Sequence, residues 1–509
     1  MTWFFGNRKS LFFALVLAFF LAAGIRFYDL TDLPLDFAPT RQLFSALKAR
    51  GMYYAMLPAN APGVEAWQRE LAIQQWKATQ AIEPTVIESL TALSYLAFGE
   101  HLWIARVYSS LFWVLAGVLL FQLAQEISGP AGALVSLLFY LFLPYGVIAS
   151  RSFQPDPLMI ALIIAGAWAS FRWANTRQWK WVLVAGILNG LAIFVKNVAV
   201  FPLALALVML VLEAGLVRSI KDRQTWALAA LSILPTAAYT LYGLFGSGFL
   251  GQQFAFRFFP QLWSQAAFYL RWKNQIDGVT GFGAFAAAVA GVFVTRRRGM
   301  LFLIGLWLGY FAYGMTFAYH ITTHDYYQLM LIPIVALSLG SLAETLFEKA
   351  AQISPVGLEM IITRVSLAAM LLLVTALQLW NVRVELVRDD WRPDAAFWAD
   401  LGTHLGTGSQ RGPVLAIAQD YGYRLAYWGW QQVDSWYDSG DLELRSLDGR
   451  QIDLMQRFQE QAARKKYLVV TQFNKFDQQP AIKDLVIKTY PVFAKGDGYL
   501  IFDLTQAIK

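Results

Sequence analysis

The sequence has no cysteine. Disulfides, a thiolate nucleophile and cysteine-built metal sites are excluded, and the chain is compatible with either side of a membrane. Charge is the second shortage: Asp, Glu, Lys and Arg make up 15% of the 509 residues, against about a quarter in soluble domains. Much of the outer surface must therefore face lipid rather than water. No Walker A sequence and no His-Glu-x-x-His occurs, so nothing points to an ATP-driven pump or a zincin protease. Internal repeats of fixed period and low-complexity tracts are also missing. What the chain has in quantity is apolar: 57% of residues are hydrophobic and 16% aromatic, with a mean hydropathy of +0.45. The net charge of +7 reads as a topology signal of a membrane protein, and neither a nucleic-acid partner nor a nucleotide cofactor is expected.

Apolar runs near the length of a bilayer core predict eleven spans, at residues 10–27, 102–122, 131–149, 158–171, 181–195, 198–216, 226–245, 279–295, 300–319, 327–346 and 361–380. The basic clusters Arg8 and Lys9, Arg172 to Lys180, Arg218 to Arg223 and Arg296 to Arg298 then all fall on one side. By the positive-inside rule that side is cytoplasmic, which puts the N-terminus inside and the C-terminus outside. This count requires the fifth and sixth spans to split at Lys196 and Asn197. The first span reads as a retained anchor rather than a cleaved signal peptide.

The expected fold is a polytopic α-helical membrane domain, residues 1–384, with a first outer loop at 28–101, followed by a small extracytoplasmic α/β domain at 385–509. In the outer loop, Pro39 opens one helix and 64–82 reads as a second, interfacial one. A second outer segment, 246–278, mixes rings and cations, among them Phe254, Arg257, Trp263 and Arg271, as suits the headgroup layer. Its Gly-x-Gly-x-x-Gly match at 246–251 follows a membrane helix instead of a strand, so a dinucleotide reading fails. Gly186 with Gly190 and Gly305 with Gly309 have the small-xxx-small spacing of packed helices. Strands are expected at 414–418, 467–471 and 499–502, and a helix at 451–465.

Ionisable groups near membrane depth are costly unless paired or hydrated, so each is a candidate for function. Asp36, Arg41, Arg151, Asp156, Lys196, His320, His324 and Asp325 all fall on the predicted outer face. Singly, each has an ordinary reading as a cap, a turn residue or a snorkelling cation. Together they describe a polar pocket in the outer leaflet where a lipid-linked phosphate would lie: cations for the phosphate, and a carboxylate to remove a proton from a hydroxyl. Asp36 and Asp156 supply oxygen ligands for magnesium or manganese, while His320, His324 and Asp325 have a spacing compatible with zinc.

A succession of short motifs spans residues 1–380: Leu35-Asp36-Phe37-Ala38-Pro39-Thr40-Arg41-Gln42, Glu83-Pro84, Phe98-Gly99, Arg106, Gln154-Pro155-Asp156-Pro157, Gly190-Leu191-Ala192 before Lys196, and His324-Asp325-Tyr326-Tyr327 with Pro333. In that order they resemble the bacterial GT-C glycosyltransferases of the family 39 type, relatives of the protein O-mannosyltransferases and the lipid A aminoarabinose transferases. The resemblance implies a polyprenyl-phosphate sugar donor. It also implies transfer with inversion on the extracytoplasmic face of a bacterial inner membrane, to a lipid, glycan or protein acceptor. It further implies Asp36 as catalytic base or acceptor-orienting group, Asp156, the acidic residue between the third and fourth spans, as the second catalytic residue, and Arg41 and Lys196 at the lipid phosphate. Arg257, His324, Tyr326 and Tyr327 would serve the donor, and Glu83, Asp36, Asp156 or His324 a divalent metal. Two departures stand out: Phe37 follows Asp36 where many relatives have Glu, and Glu83-Pro84-Thr85 lacks a second proline. A lipid-linked glycan polymerase or ligase and a transporter are the alternatives. In the C-terminal part, Tyr421, Tyr423, Tyr427, Trp428 and Trp430 are rings for sugar stacking or for ordinary packing.

Overall fold

The computed structural model describes residues 8–79, 83–251, 256–354, 356–450 and 452–508. Phe254, Ile82 and Gln451, named above, lie outside them. The chain divides into two compact units, one formed by residues 1–30, 81–86 and 105–389, the other by 31–80, 87–104 and 390–509.

The first unit is helical. Among the described residues eight helices are long and apolar enough to cross a bilayer, from Arg8–Phe27 to the one that starts at Gly357, and a bent pair makes nine. All eleven expected segments are helical, but three are short or bent, each for a local reason. The third breaks into Pro130–Phe142 and Pro144–Ala149, because Pro144 has no N–H to donate back to the Tyr140 carbonyl. That carbonyl accepts from Trp113 Nε1 at 3.4 Å, and the neighbouring Leu141 carbonyl accepts from the buried Arg26 guanidinium at 3.1 Å. The fifth, Trp179–Val195, has 17 residues, a rise of about 25 Å. The eighth, Phe282–Phe293, meets Ala266–Thr280 at 91°, the turn being taken by Gly281 at φ +76°.

Both small-residue pairs are packing sites. A Cβ on Gly309 would sit 2.4 Å from the Pro202 Cα and one on Gly305 2.6 Å from the Ala206 Cα, so Arg297–Thr316 touches Val200–Ala214 backbone to backbone. Likewise a Cβ on Gly190 would meet the Leu231 carbonyl at 2.6 Å. Without a hydrophobic drive between helices in lipid, such close approach is what holds them together.

In the second unit, Pro39–Met56 begins at the expected proline and Ala66–Ala78 is closed by a capping box of Glu65 and Gln68. The sheet has the order β2-β1-β3-β5-β4, with β1 Val414–Ile417, β2 Val433–Ser435, β3 Tyr467–Val470, β4 Val492–Gly496 and β5 Tyr499–Asp503. β2, β1 and β3 are parallel; β5 and β4 run antiparallel to their neighbours. Side-chain alternation splits its core in two. Val414, Ala416, Tyr467 and Val469 pack under Arg392–His404, whereas Leu415, Ile417, Leu468 and Val470 pack under Leu454–Ala462 and Pro480–Thr489.

Arg50 ties the first outer loop into this α/β layer. Its Nε donates to Glu100 Oε1 at 2.7 Å, another N–H donates to the Tyr427 carbonyl, and its guanidinium lies 3.5 and 4.3 Å from the Tyr427 and Trp430 ring centres. Gln75 Nε2 adds hydrogen bonds to the Ala426 and Gln431 carbonyls at 3.0 and 2.9 Å. Tyr427 and Trp430 are thus packing residues, and residues 390–509 share one unit with most of the outer loop.

Replacing Gly309 by Ala forces two backbones apart and costs about 1–3 kcal/mol, read as a lower thermal midpoint of the purified protein in detergent. Gly283→Ala, where nothing lies within 4 Å of the added Cβ, leaves the midpoint unchanged or raises it.

Candidate active site

Asp156 starts the 21-residue helix Asp156–Thr176; Lys196 follows the 17-residue helix Trp179–Val195. Two helices of similar length joined by Arg177 and Gln178 fold back on each other, so the first residue of one meets the residue after the other. The helix dipoles favour this arrangement, a carboxylate at an N-terminus and an ammonium at a C-terminus. Lys196 Nζ donates to Asp156 Oδ1 and Oδ2 at 2.8 and 2.9 Å and lies 3.9 Å from Glu83 Oε1. The three side chains are 11%, 3% and 12% exposed. One ammonium therefore faces two carboxylates in a poorly solvated place, where electrostatic interactions are several-fold stronger than in water.

An aromatic wall stands over this cluster. The Lys196 ammonium is 5.6 and 5.9 Å from the ring centres of Tyr326 and Tyr327, which sit on a single 3-10 turn, Asp325–Gln328. Tyr327 stacks on His320 at 5.6 Å, His320 on His324 at 5.8 Å, and His324 meets Tyr326 edge-on at 5.5 Å. Burial, with the nearby charges of Arg257 and His324, pushes the His320 imidazole down to about 3, so it is neutral wherever the protein is folded and working. Burial pushes the Asp325 carboxyl up, opposed by hydrogen bonds from the Tyr326 backbone and the Tyr145 hydroxyl. Both amide atoms of Gln154, and Nδ1 of His320, are buried without a hydrogen-bond partner in the protein. Such orphans are rare and mark places that water or a ligand completes.

The structure thus brings together Asp156, Lys196, Glu83, His324, Tyr326 and Tyr327, and sets Arg257 near enough to His320 to act on it. Asp36 and Arg41 belong to the other unit. There, Asp36 accepts a 3.4 Å hydrogen bond from Gln42 Nε2, which also donates to the Phe37 carbonyl at 2.6 Å. Ala38 takes the left-handed conformation, φ +41°, just before Pro39, and the Arg41 guanidinium lies 5.6 Å from the Phe44 ring centre. The Lys196 ammonium holds both Asp156 oxygens, and among the described residues no three His, Asp or Glu side chains converge as ligands would. Sequence reasoning did not single out Tyr145; the signal was Pro144, which breaks the third span just before it.

The fold is that of a multi-pass membrane protein with the GT-C architecture. Over 96% of its length the chain superposes on 97% of ArnT from Cupriavidus metallidurans, solved bound to undecaprenyl phosphate, with a TM-score of 0.61 and 15% identity. The archaeal oligosaccharyltransferase AglB from Archaeoglobus fulgidus, solved with an inhibitory peptide and a dolichol-phosphate, matches 90% of the chain over 69% of its own, with a TM-score of 0.54 and 10% identity. Residues 83–242, which include Glu83, Asp156 and Lys196, match the family model for dolichyl-phosphate-mannose-protein mannosyltransferase. A stretch of 152 residues, 30% of the chain, is 26% identical to YycA of Bacillus subtilis (strain 168), a protein with a provisional mannosyltransferase name, and spans 22% of its length.

Removing one partner of a buried pair leaves the other uncompensated and costs about 3–5 kcal/mol. Lys196→Met and Asp156→Asn are each expected to lower the thermal midpoint. The double substitution lowers it by less than the sum of the two, the coupling a double-mutant cycle reads.

Proposed function

We propose that this protein transfers a hexosyl or pentosyl group, with inversion, from a polyprenyl-phosphate donor to an acceptor hydroxyl at the extracytoplasmic face of the membrane. The observation that carries the proposal is the Lys196 ammonium, buried between Asp156 and Glu83 beneath Tyr326 and Tyr327, in a fold shared with an ArnT solved holding undecaprenyl phosphate.

The chemistry follows from the groups. The acceptor oxygen forms a bond to the anomeric carbon as the bond from that carbon to the phosphate oxygen breaks. The acceptor proton passes to a carboxylate and the lipid phosphate leaves with the electron pair. Phosphate leaves well without protonation, so the main catalytic need is a preorganised positive charge where its charge grows. Lys196 supplies that charge, and Asp156 and Glu83 hold it in place while unliganded. Arg257 adds to it, and Arg41 keeps the phosphate role that the motif resemblance implies. His324, Tyr326 and Tyr327 line the headgroup, His320 backing them as a neutral ring. Asp36 keeps the role the motif resemblance implies, orienting or deprotonating the acceptor hydroxyl. No step passes through a metal.

Purified protein incubated in detergent with radiolabelled polyprenyl-phosphate mannose and a membrane acceptor extract tests this reading. Asp36→Asn is expected to lose about a hundred- to ten-thousand-fold in transfer while remaining folded, and wild-type transfer is expected to persist in EDTA. An undiminished Asp36→Asn rate overturns the base assignment; transfer that stops in EDTA overturns the metal-free mechanism. His320→Gln is expected to leave the shape of the pH profile between about 5 and 8 unchanged, because His320 does not titrate there.

A further inference from the structure

The second unit contains a cavity of about 260 Å³ that the transfer reaction described above does not use. It opens at the carboxyl ends of the parallel strands: Ile417 and Ala418 follow β1, Ser435 to Asp438 follow β2, and Gln472 follows β3. In open α/β sheets ligands bind at that edge, where successive connections run opposite ways, as they do here to either side of β1. The lining is part aromatic and part polar. Trp436 is a buried wall whose indole N–H is spent on Gln479 Oε1 at 2.8 Å. Tyr421 is 42% exposed.

The charges in the cavity are already matched. Asp420 accepts from Arg424 Nε at 2.5 Å and from Thr40 Oγ1 at 2.9 Å, and Asp438 accepts from Lys475 Nζ at 2.8 Å. An anion would have to pull Lys475 off Asp438, and a cation would have to displace Arg424 or Lys475. Each carboxylate still has lone pairs beyond those its cation uses. The site therefore favours an uncharged ligand with several hydroxyl donors and an apolar face. Binding pockets for drug-sized molecules run about 300–1,000 Å³, so this one admits a single ring.

Two features show that the wall is built rather than incidental. Asp420 and Tyr421 are consecutive non-glycine residues with φ +51° and +56°, a strained conformation that persists only where surroundings impose it. Here the imposing contacts are those of Thr40 and Arg424 on Asp420. Thr40 also lines the cavity, and it lies four residues along the chain from Asp36.

We infer that this cavity binds a neutral monosaccharide unit, held on the Tyr421 ring by its apolar face, with Asp420, Asp438 and Gln472 taking its hydroxyls. Its use as the acceptor subsite rests on the transfer reading above; the binding itself does not.

Saturation-transfer NMR on the full chain in detergent tests it, with the methyl glycosides of mannose, glucose, galactose and N-acetylglucosamine as probes. At least one is expected to give ring-proton signals that inorganic phosphate does not compete away. Tyr421→Asn, which removes the ring and tolerates the left-handed backbone, is expected to weaken that binding at least tenfold, and Tyr421→Phe to retain it. Gln472→Leu, outside the packed core, gives an independent loss. Lys196→Met is expected to keep glycoside binding while losing transfer from the lipid donor. Absence of signal with all four glycosides, competition by phosphate, or full binding by both Tyr421→Asn and Gln472→Leu overturns the inference.

Discussion

The membrane unit is organised around one ammonium. Lys196 is buried with two carboxylates, 2.8–2.9 Å from the first and 3.9 Å from the second. Taking these groups out of water costs several kcal/mol per ion, which their attraction offsets only if geometry is good. The antiparallel pair Asp156–Thr176 and Trp179–Val195 supplies that geometry, since the length of the hairpin sets where its two ends meet. The aromatic turn at 325–328, with His320 stacked on it, stands beside a charge that is held but not neutralised by solvent, and the unsatisfied Gln154 amide lies two residues before Asp156.

Much of this was legible in the sequence, and the reasons differ by feature. The apolar segments could be found because lipid demands runs of fixed length. The division at Lys196 and Asn197 could be found because the basic loops sort to one side only if the chain turns there. Asp156 and Lys196 stood out as charges in a chain that has few. Glu83 is different: the resemblance names it as a metal candidate, but its place beside Lys196, 113 positions away, is a distance no local pattern reports. The breaks at Pro144 and Gly281 show the limit of hydropathy, which measures how apolar a stretch is but not whether it is straight.

In the second unit the long-buried strands were visible as apolar runs. β2 has three residues, two of them polar, and β4 is an edge strand with Val492 and Phe493 about half exposed, so neither carries the signal. The rings of residues 421–430 read alike in sequence. Tertiary contacts separate them: Tyr427 and Trp430 sandwich Arg50, while Tyr421 is left facing a cavity.

Arg50 and Tyr427 are 377 residues apart in the chain. At synthesis rates of about 5–20 residues per second, Arg50 is made about 20–75 s before the carbonyl and ring that receive it. Throughout that interval the helices Pro39–Met56 and Ala66–Ala78 have no sheet to pack on, and every intervening membrane helix must insert before it arrives. The second unit therefore completes its packing only after residues 414–503, which carry the sheet, have been made.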